Sequence, residues 1–172
     1  QWDRLAPALG DLPPAKVCRK EIAERLRIPT KAFWVTFTSQ AASRSFFPAI
    51  LDAVCRQPEA VLIVKVHPGE RVDDYRTMIP AADRERCRVV KRIDLHTLLR
   101  ASDVVLTYTS TTNLEALAVG TPLCIVDFAH NPDKPNRIDL STYGIPEARD
   151  GESLHQVLTR LREDPAWKKE IL

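Results

Sequence analysis

Ala60-Val61-Leu62-Ile63-Val64-Lys65-Val66-His67-Pro68-Gly69-Glu70 is the stretch that decides the fold. Its first seven residues form an almost unbroken apolar run, and Pro68 and Gly69 force a polar turn directly after it. A sheet with one wet face alternates apolar and polar residues. A run without alternation is the mark of a strand buried on both faces, as in a parallel sheet covered by helices. The run therefore predicts a strand over 60–66 that delivers His67 to its carboxyl end.

The segments on either side repeat the same strand-then-helix rhythm. Phe33–Thr38, rich in aromatic and β-branched residues, predicts an earlier strand; 88–90, 103–108 and 123–126 predict three later ones. Helices are expected between them over 15–28, 45–56, 73–78, 94–99 and 110–119, with a late one over 151–162. In the first, Val17, Ile22, Leu26 and Ile28 are available for burial. Pro48 suits only the first turn of its helix. Gly120, with Pro122 just beyond, marks a left-handed helix stop. Residues 127–143 read as a long irregular loop, and the Pro165–Trp167 tail as packing back on the domain. Strands alternating with helices predict an α/β domain, a parallel sheet with helices on both faces, over 15–172. Residues 1–14, ending in Pro13-Pro14, read as a linker or N-terminal extension. The chain opens Gln1-Trp2-Asp3, which suggests a processed chain or a piece of a longer one.

Composition excludes several classes. With 172 residues, 44% hydrophobic and 28% charged, the chain fits one ordinary globular domain. A net charge of +2 argues against a general nucleic-acid binder. The cysteines Cys18, Cys55, Cys87 and Cys124 form no CxxC pair and sit in expected helices and strands, which favours a reducing compartment over a disulfide scaffold. No apolar run reaches the ~18 residues of a membrane span. There is no G-x-x-x-x-G-K-[ST] P-loop and no G-x-G-x-x-G turn, five glycines leave little room for either, and there is no G-x-S-x-G elbow. Asp127, His130 and Asp133 match no standard metal spacing, so neither a metal nor a cofactor is expected.

In an open parallel sheet, ligands bind where the strands end. The residues placed there are Ser39-Gln40, His67-Pro68-Gly69, Lys91-Arg92, Thr109-Ser110-Thr111-Thr112 and Asp127 onward. Most can donate hydrogen bonds to an anion. At 109–112, several hydroxyls meet the unpaired first amides of a helix, which together make a phosphate site without a lysine. Plain N-capping is the bland alternative, since Thr112 and Glu115 match a capping box. If Ser110 is the cap, Glu115 lies about 7 Å further along the axis. From there it can accept two ribose hydroxyls. His67 can donate to a phosphate or act as an acid, or simply bond local backbone. Lys65 shares its strand face, or is an ordinary charge at a strand end.

Residues 61–70, followed by Leu99–Leu106, Ser110–Ala116 and Gly120-Thr121-Pro122, resemble the C-terminal nucleotide-binding half of a GT-B glycosyltransferase. The flavour is that of bacterial CDP-glycerol glycerophosphotransferases, capsule polysaccharide transferases and sialyltransferases with a His-Pro motif. The resemblance covers roughly 14–161 and implies a Rossmann-like half of a GT-B fold acting in surface polysaccharide or polymer synthesis. It implies a donor linked to CDP, CMP or UDP. Ser110, Thr111 and Thr112 would lie on its phosphates, Glu115 on the ribose, and His67 at the phosphate next to the leaving group. The segment Lys91-Arg92-Ile93 would run beside the base. Family members often carry glycine where this chain has Thr109 and Ser110. The acceptor and the base would come from an N-terminal domain, so the isolated domain is expected to be inactive. The implied location is cytoplasmic, with peripheral association at the inner face of a membrane left open for the full protein. Half of a UDP-N-acetylglucosamine 2-epimerase-like enzyme is the first alternative, and a non-catalytic receiver-like α/β module the second.

Overall fold

The structure, a computed structural model, describes residues 11–130, 140 and 143–171. Most of the extension predicted over 1–14, most of the loop predicted over 127–143, and Asp133 lie outside the described residues. Six strands are described: β1 (Phe33–Thr38), β2 (Ala60–Lys65), β3 (Cys87–Val90), β4 (Val104–Thr107), β5 (Leu123–Val126) and β6 (Glu147–Ala148). They form one parallel sheet in the order β3-β2-β1-β4-β5-β6. The helices are α1 (Ala15–Leu26), α2 (Phe47–Cys55), α3 (Asp73–Arg76), α4 (Leu95–Ala101), α5 (Thr112–Ala118), α6 (Gly151–Glu163) and α7 (Pro165–Glu170).

The apolar run does what its lack of alternation predicted. β2 pairs with β1 from Phe33↔Ala60 to Thr38↔Lys65 and with β3 from Leu62↔Cys87 onward, and both its faces are covered. Leu62 and Val64 share one core with Phe47 and Ile50 of α2 and Leu154 and Leu158 of α6. Val61 and Ile63 point the other way, to Trp34, to Cys18 and Ile22 of α1 and to Leu98 of α4. A third cluster seats α5, through Ala116, on Val105 and Leu123. Helices on both faces of a parallel sheet in this order make a Rossmann-like α/β domain.

Several boundaries differ from expectation for local reasons. α1 stops at Leu26 because Arg27 takes the left-handed conformation (φ 53°), which returns Ile28 to the core. Val17 is 53% exposed, since the inward stripe of that helix runs through Cys18, Ile22 and Ala23. The helix expected over 45–56 splits into a 3-10 turn (Ala41–Phe46) and α2, which leaves Pro48 in the first turn of α2. β6 was not expected, because two residues carry no readable period. The tail does pack back: Trp167 of α7 lies against the first core and Ile171 is buried.

The strand order also overturns the receiver-like alternative, because receiver domains order their strands 2-1-3-4-5. Among the described residues no helix is long and apolar enough to cross a membrane.

Candidate nucleotide site

In this sheet the chain steps outward from β1 in both directions, to β2 and β3 on one side and to β4, β5 and β6 on the other. Connections leave β1 and β4 towards opposite faces, so a crevice opens between their carboxyl ends. Ser39-Gln40 line one side and Tyr108–Thr111 the other.

Gln40 bridges the two. Its Nε2 donates to the Thr109 carbonyl at 3.1 Å, and its Oε1 accepts from the Thr109 amide and hydroxyl, each at 3.3 Å. This grip holds the chain in an open path after β4, and α5 begins at Thr112 instead of Ser110. Thr112 is therefore the first helical residue, and the capping box with Glu115 that the plain N-capping alternative required does not form. Ser110 Oγ instead accepts from the Thr112 amide (3.2 Å) and donates to Thr112 Oγ1 (2.9 Å). The Thr111 hydroxyl is exposed. Neither the Ser110 nor the Thr111 amide makes a hydrogen bond among the described residues. The corner thus offers two unspent amides and a hydroxyl at the mouth of the crevice.

Glu115 lies in the first turn of α5, with its side chain 16% exposed, and accepts from His96 Nε2 at 2.9 Å. His96 belongs to α4, whose first turn is fixed by Asp94: its carboxylate accepts from the Thr97 amide (2.8 Å) and hydroxyl (2.7 Å). Burial alone would raise Asp94. The Thr97 bonds and the nearby His96 outweigh it and hold that carboxyl below its usual range. Sequence reasoning passed over His96. The available signal was that α4 and α5 flank β4 and so cover the same face of the sheet.

His67 follows β2 as expected and is exposed. Its Nδ1 accepts from the Gly69 amide at 3.1 Å, so in the neutral ring the proton sits on Nε2. The local-backbone reading holds for Nδ1, which is spent on the turn, and it leaves Nε2 with a proton to donate.

The remaining expected residues frame the site. Ser39 is buried, its hydroxyl donating to Glu70 (2.7 Å) and accepting from the His67 amide (3.2 Å). Lys65 donates to the Lys91 carbonyl at 2.6 Å. Burial, with Lys91 adding to it, draws its ammonium below the usual lysine range against the pull of Asp94. The Ile93 side chain is buried in the second core, so only its backbone can border a ligand. The Arg92 side chain is exposed, and its carbonyl accepts from Arg25. The crevice thus brings together Ser110, Thr111 and Gln40. His67 stands about two strand spacings (~10 Å) along the rim from the β4 loop, with Glu115 on the adjoining helix.

Known proteins agree with this geometry at the level of fold and family. A family model described as capsule polysaccharide biosynthesis protein matches residues 33–131. Comparison with curated protein sequences gives no significant match. Among solved structures, Anabaena HepE in complex with UDP superposes with a TM-score of 0.70 at 17% identity, covering 90% of this chain and 45% of that one. UDP-GlcNAc 2-epimerase from Neisseria meningitidis, bound to UDP-GlcNAc, gives 0.65 at 14% identity, covering 90% and 43%. The wall teichoic acid polymerase TagF, soaked with CDPG, gives 0.64 at 12% identity, covering 90% and 38%. The chain spans less than half the length of each, and its fold is that of one half of a GT-B enzyme.

Proposed function

Because the chain belongs to the family of capsule polysaccharide biosynthesis proteins, we propose that it is the donor-nucleotide-binding half of a glycosyl- or glycerophosphotransferase that builds a surface polysaccharide or polymer. The observation that carries this reading is the pair of amides at Ser110 and Thr111, which have no acceptor among the described residues and lie in the loop after β4, next to β1 in the sheet. With the Thr111 hydroxyl they bind the phosphates of a CDP-, CMP- or UDP-linked donor, and they stabilise the negative charge that grows on the nucleotide as it leaves. Glu115 accepts the ribose hydroxyls. His67 donates from Nε2 to the phosphate next to the breaking bond. Arg92 and the Ile93 backbone border the base. No metal enters this scheme. The acceptor and the catalytic base come from a second domain, so this chain alone binds donor without turning it over. The four free cysteines, three of them buried, support a reducing compartment, and the proposed location is the cytoplasm.

Isothermal titration of the chain with CDP, CMP and UDP tests the reading. One or more is expected to bind, and Glu115→Ala is expected to weaken it at least about tenfold, the share of one charge-assisted hydrogen bond. Binding of inorganic diphosphate should hardly change. A folded sample that binds none of the three at millimolar concentration would count decisively against the proposal. The epimerase half shares the fold, and the family match favours the transferase. Release of UDP from UDP-GlcNAc by the full-length enzyme without an acceptor would reverse that preference.

A further inference from the structure

Glu70 is a carboxylate withdrawn from water at the rim of the site, its side chain 3% exposed. Its Oε2 accepts from the Ser39 hydroxyl at 2.7 Å. Its Oε1 accepts from the Tyr75 hydroxyl at 2.8 Å and from Arg44 at 3.0 and 3.3 Å. One side chain thus ties together the end of β1, the 3-10 turn and α3. Its backbone closes the loop around His67: the Glu70 amide donates to the His67 carbonyl (2.9 Å), and Lys91 donates to the Glu70 carbonyl (2.7 Å).

A buried charge of this kind is a poor source of stability. Well-packed apolar residues of similar volume do as well or better, because desolvation offsets most of the attraction. What the charge adds is geometry, since it is tolerated only with all its donors in place. Ser39 carries that geometry onward, its oxygen accepting from the His67 amide while its proton goes to Glu70. We infer that Glu70 is the positioning residue of the His67 turn: it acts through Ser39 to fix the His67 backbone, so that the imidazole, with Gly69 on Nδ1, directs Nε2–H at the donor's phosphate. The inference rests on the nucleotide-site reading above for what His67 touches, though not for how His67 is held.

The experiment is nitrogen NMR of the histidine rings in the labelled chain, paired with titration of inorganic diphosphate and CDP. In the wild type His67 shows an acceptor Nδ1 and a protonated Nε2. Glu70→Gln puts an amide NH2 among donors. It should convert His67 to a mixed tautomer signature and weaken diphosphate binding at least about tenfold, with the Glu115-dependent preference for ribonucleotide intact. Ser39→Ala removes the link to His67 and one of the donors to Glu70, leaves Arg44 and Tyr75 on the carboxylate, and should give the same two changes, which keeps the test open if Glu70→Gln does not fold. A folded variant with the wild-type His67 signature overturns the inference, even if its melting temperature has dropped. Failure of the wild type to bind diphosphate sinks the nucleotide site instead, and the ring signature still decides how His67 is held.

Discussion

Gln40→Ala separates a framing role from a ligand contact at the centre of the crevice. Replacing the side chain removes the bond at 3.1 Å to the Thr109 carbonyl and the two at 3.3 Å from the Thr109 amide and hydroxyl. All are neutral, the last two lie at the long end of the useful range, and Thr109 is only half-buried. At ~0.5–1.5 kcal/mol for each effective bond, and counting the two longer ones as one, the loss is about 1–3 kcal/mol. For a chain of this size that lowers Tm by roughly 2–12 °C. Hydrogen exchange of the Thr109 amide should rise in step, because its only described acceptor is gone, and CDP should bind more weakly because the Ser110 and Thr111 amides are no longer held at the crevice. If Gln40 were a direct ligand contact, affinity would fall while Tm and Thr109 exchange stayed put. That pattern would refute the framing argument.

Three further outcomes follow from the same coordinates. Gly69→Ala would place a Cβ 3.3 Å from His67 Nδ1, and should weaken diphosphate binding by titration while circular dichroism stays unchanged. Arg19→Met removes guanidinium bonds to the Thr30 and Ala101 carbonyls (2.7 Å each) and to Asp103 (2.9 Å), together with its stacking on Trp34 (4.2 Å). Urea unfolding should record a loss of about 3 kcal/mol, and no loss at all would show that these bonds are replaced by water. Burial pushes the Cys87 and Cys124 thiols up to about 12 and Cys55 to about 11; burial, with Glu70 adding to it, lifts Tyr75 to about 12. The unfolded thiols ionise near ~8.5 and unfolded tyrosine near ~10, so above those values the unfolded chain holds fewer protons than the folded one. Stability should be unaffected by these groups below about pH 8 and decline as pH rises towards 11–12; a flat urea midpoint up to pH 10.5 (about two units above the free thiol value) would contradict the assignment.

The sheet was legible because each of its first five strands is a short apolar or β-branched run, and strand ends then followed to within a residue. The edge that carries the candidate site was legible for the same reason, since parallel strands bring all their carboxyl ends together. Hydrogen-bond allegiance was not legible. Ser39, Gln40 and Lys65 have the chemistry to meet an anion, and the fold spends each on another segment of protein. Glu70, placed after a Pro-Gly turn, reads as a surface charge and is almost fully buried. Partner choice of this kind depends on which loops the sheet order makes neighbours, and a single sequence does not state that order.

That allegiance resolves the main electrostatic objection to the site. Glu70 and Glu115 flank the proposed phosphate corner, and an unpaired carboxylate about 8 Å from a phosphate charge opposes it by roughly 2 kcal/mol at an effective dielectric of ~20. Neither is unpaired. Arg44 sits on Glu70 and is itself shared with Asp74 at 3.2 Å, while His96 donates to Glu115 from the neighbouring helix. Each carboxylate is answered by a residue that approaches from another segment. The corner can therefore do without a lysine: both nearby carboxylates already accept hydrogen bonds from other segments, and the Ser110 and Thr111 amides are left for the incoming anion.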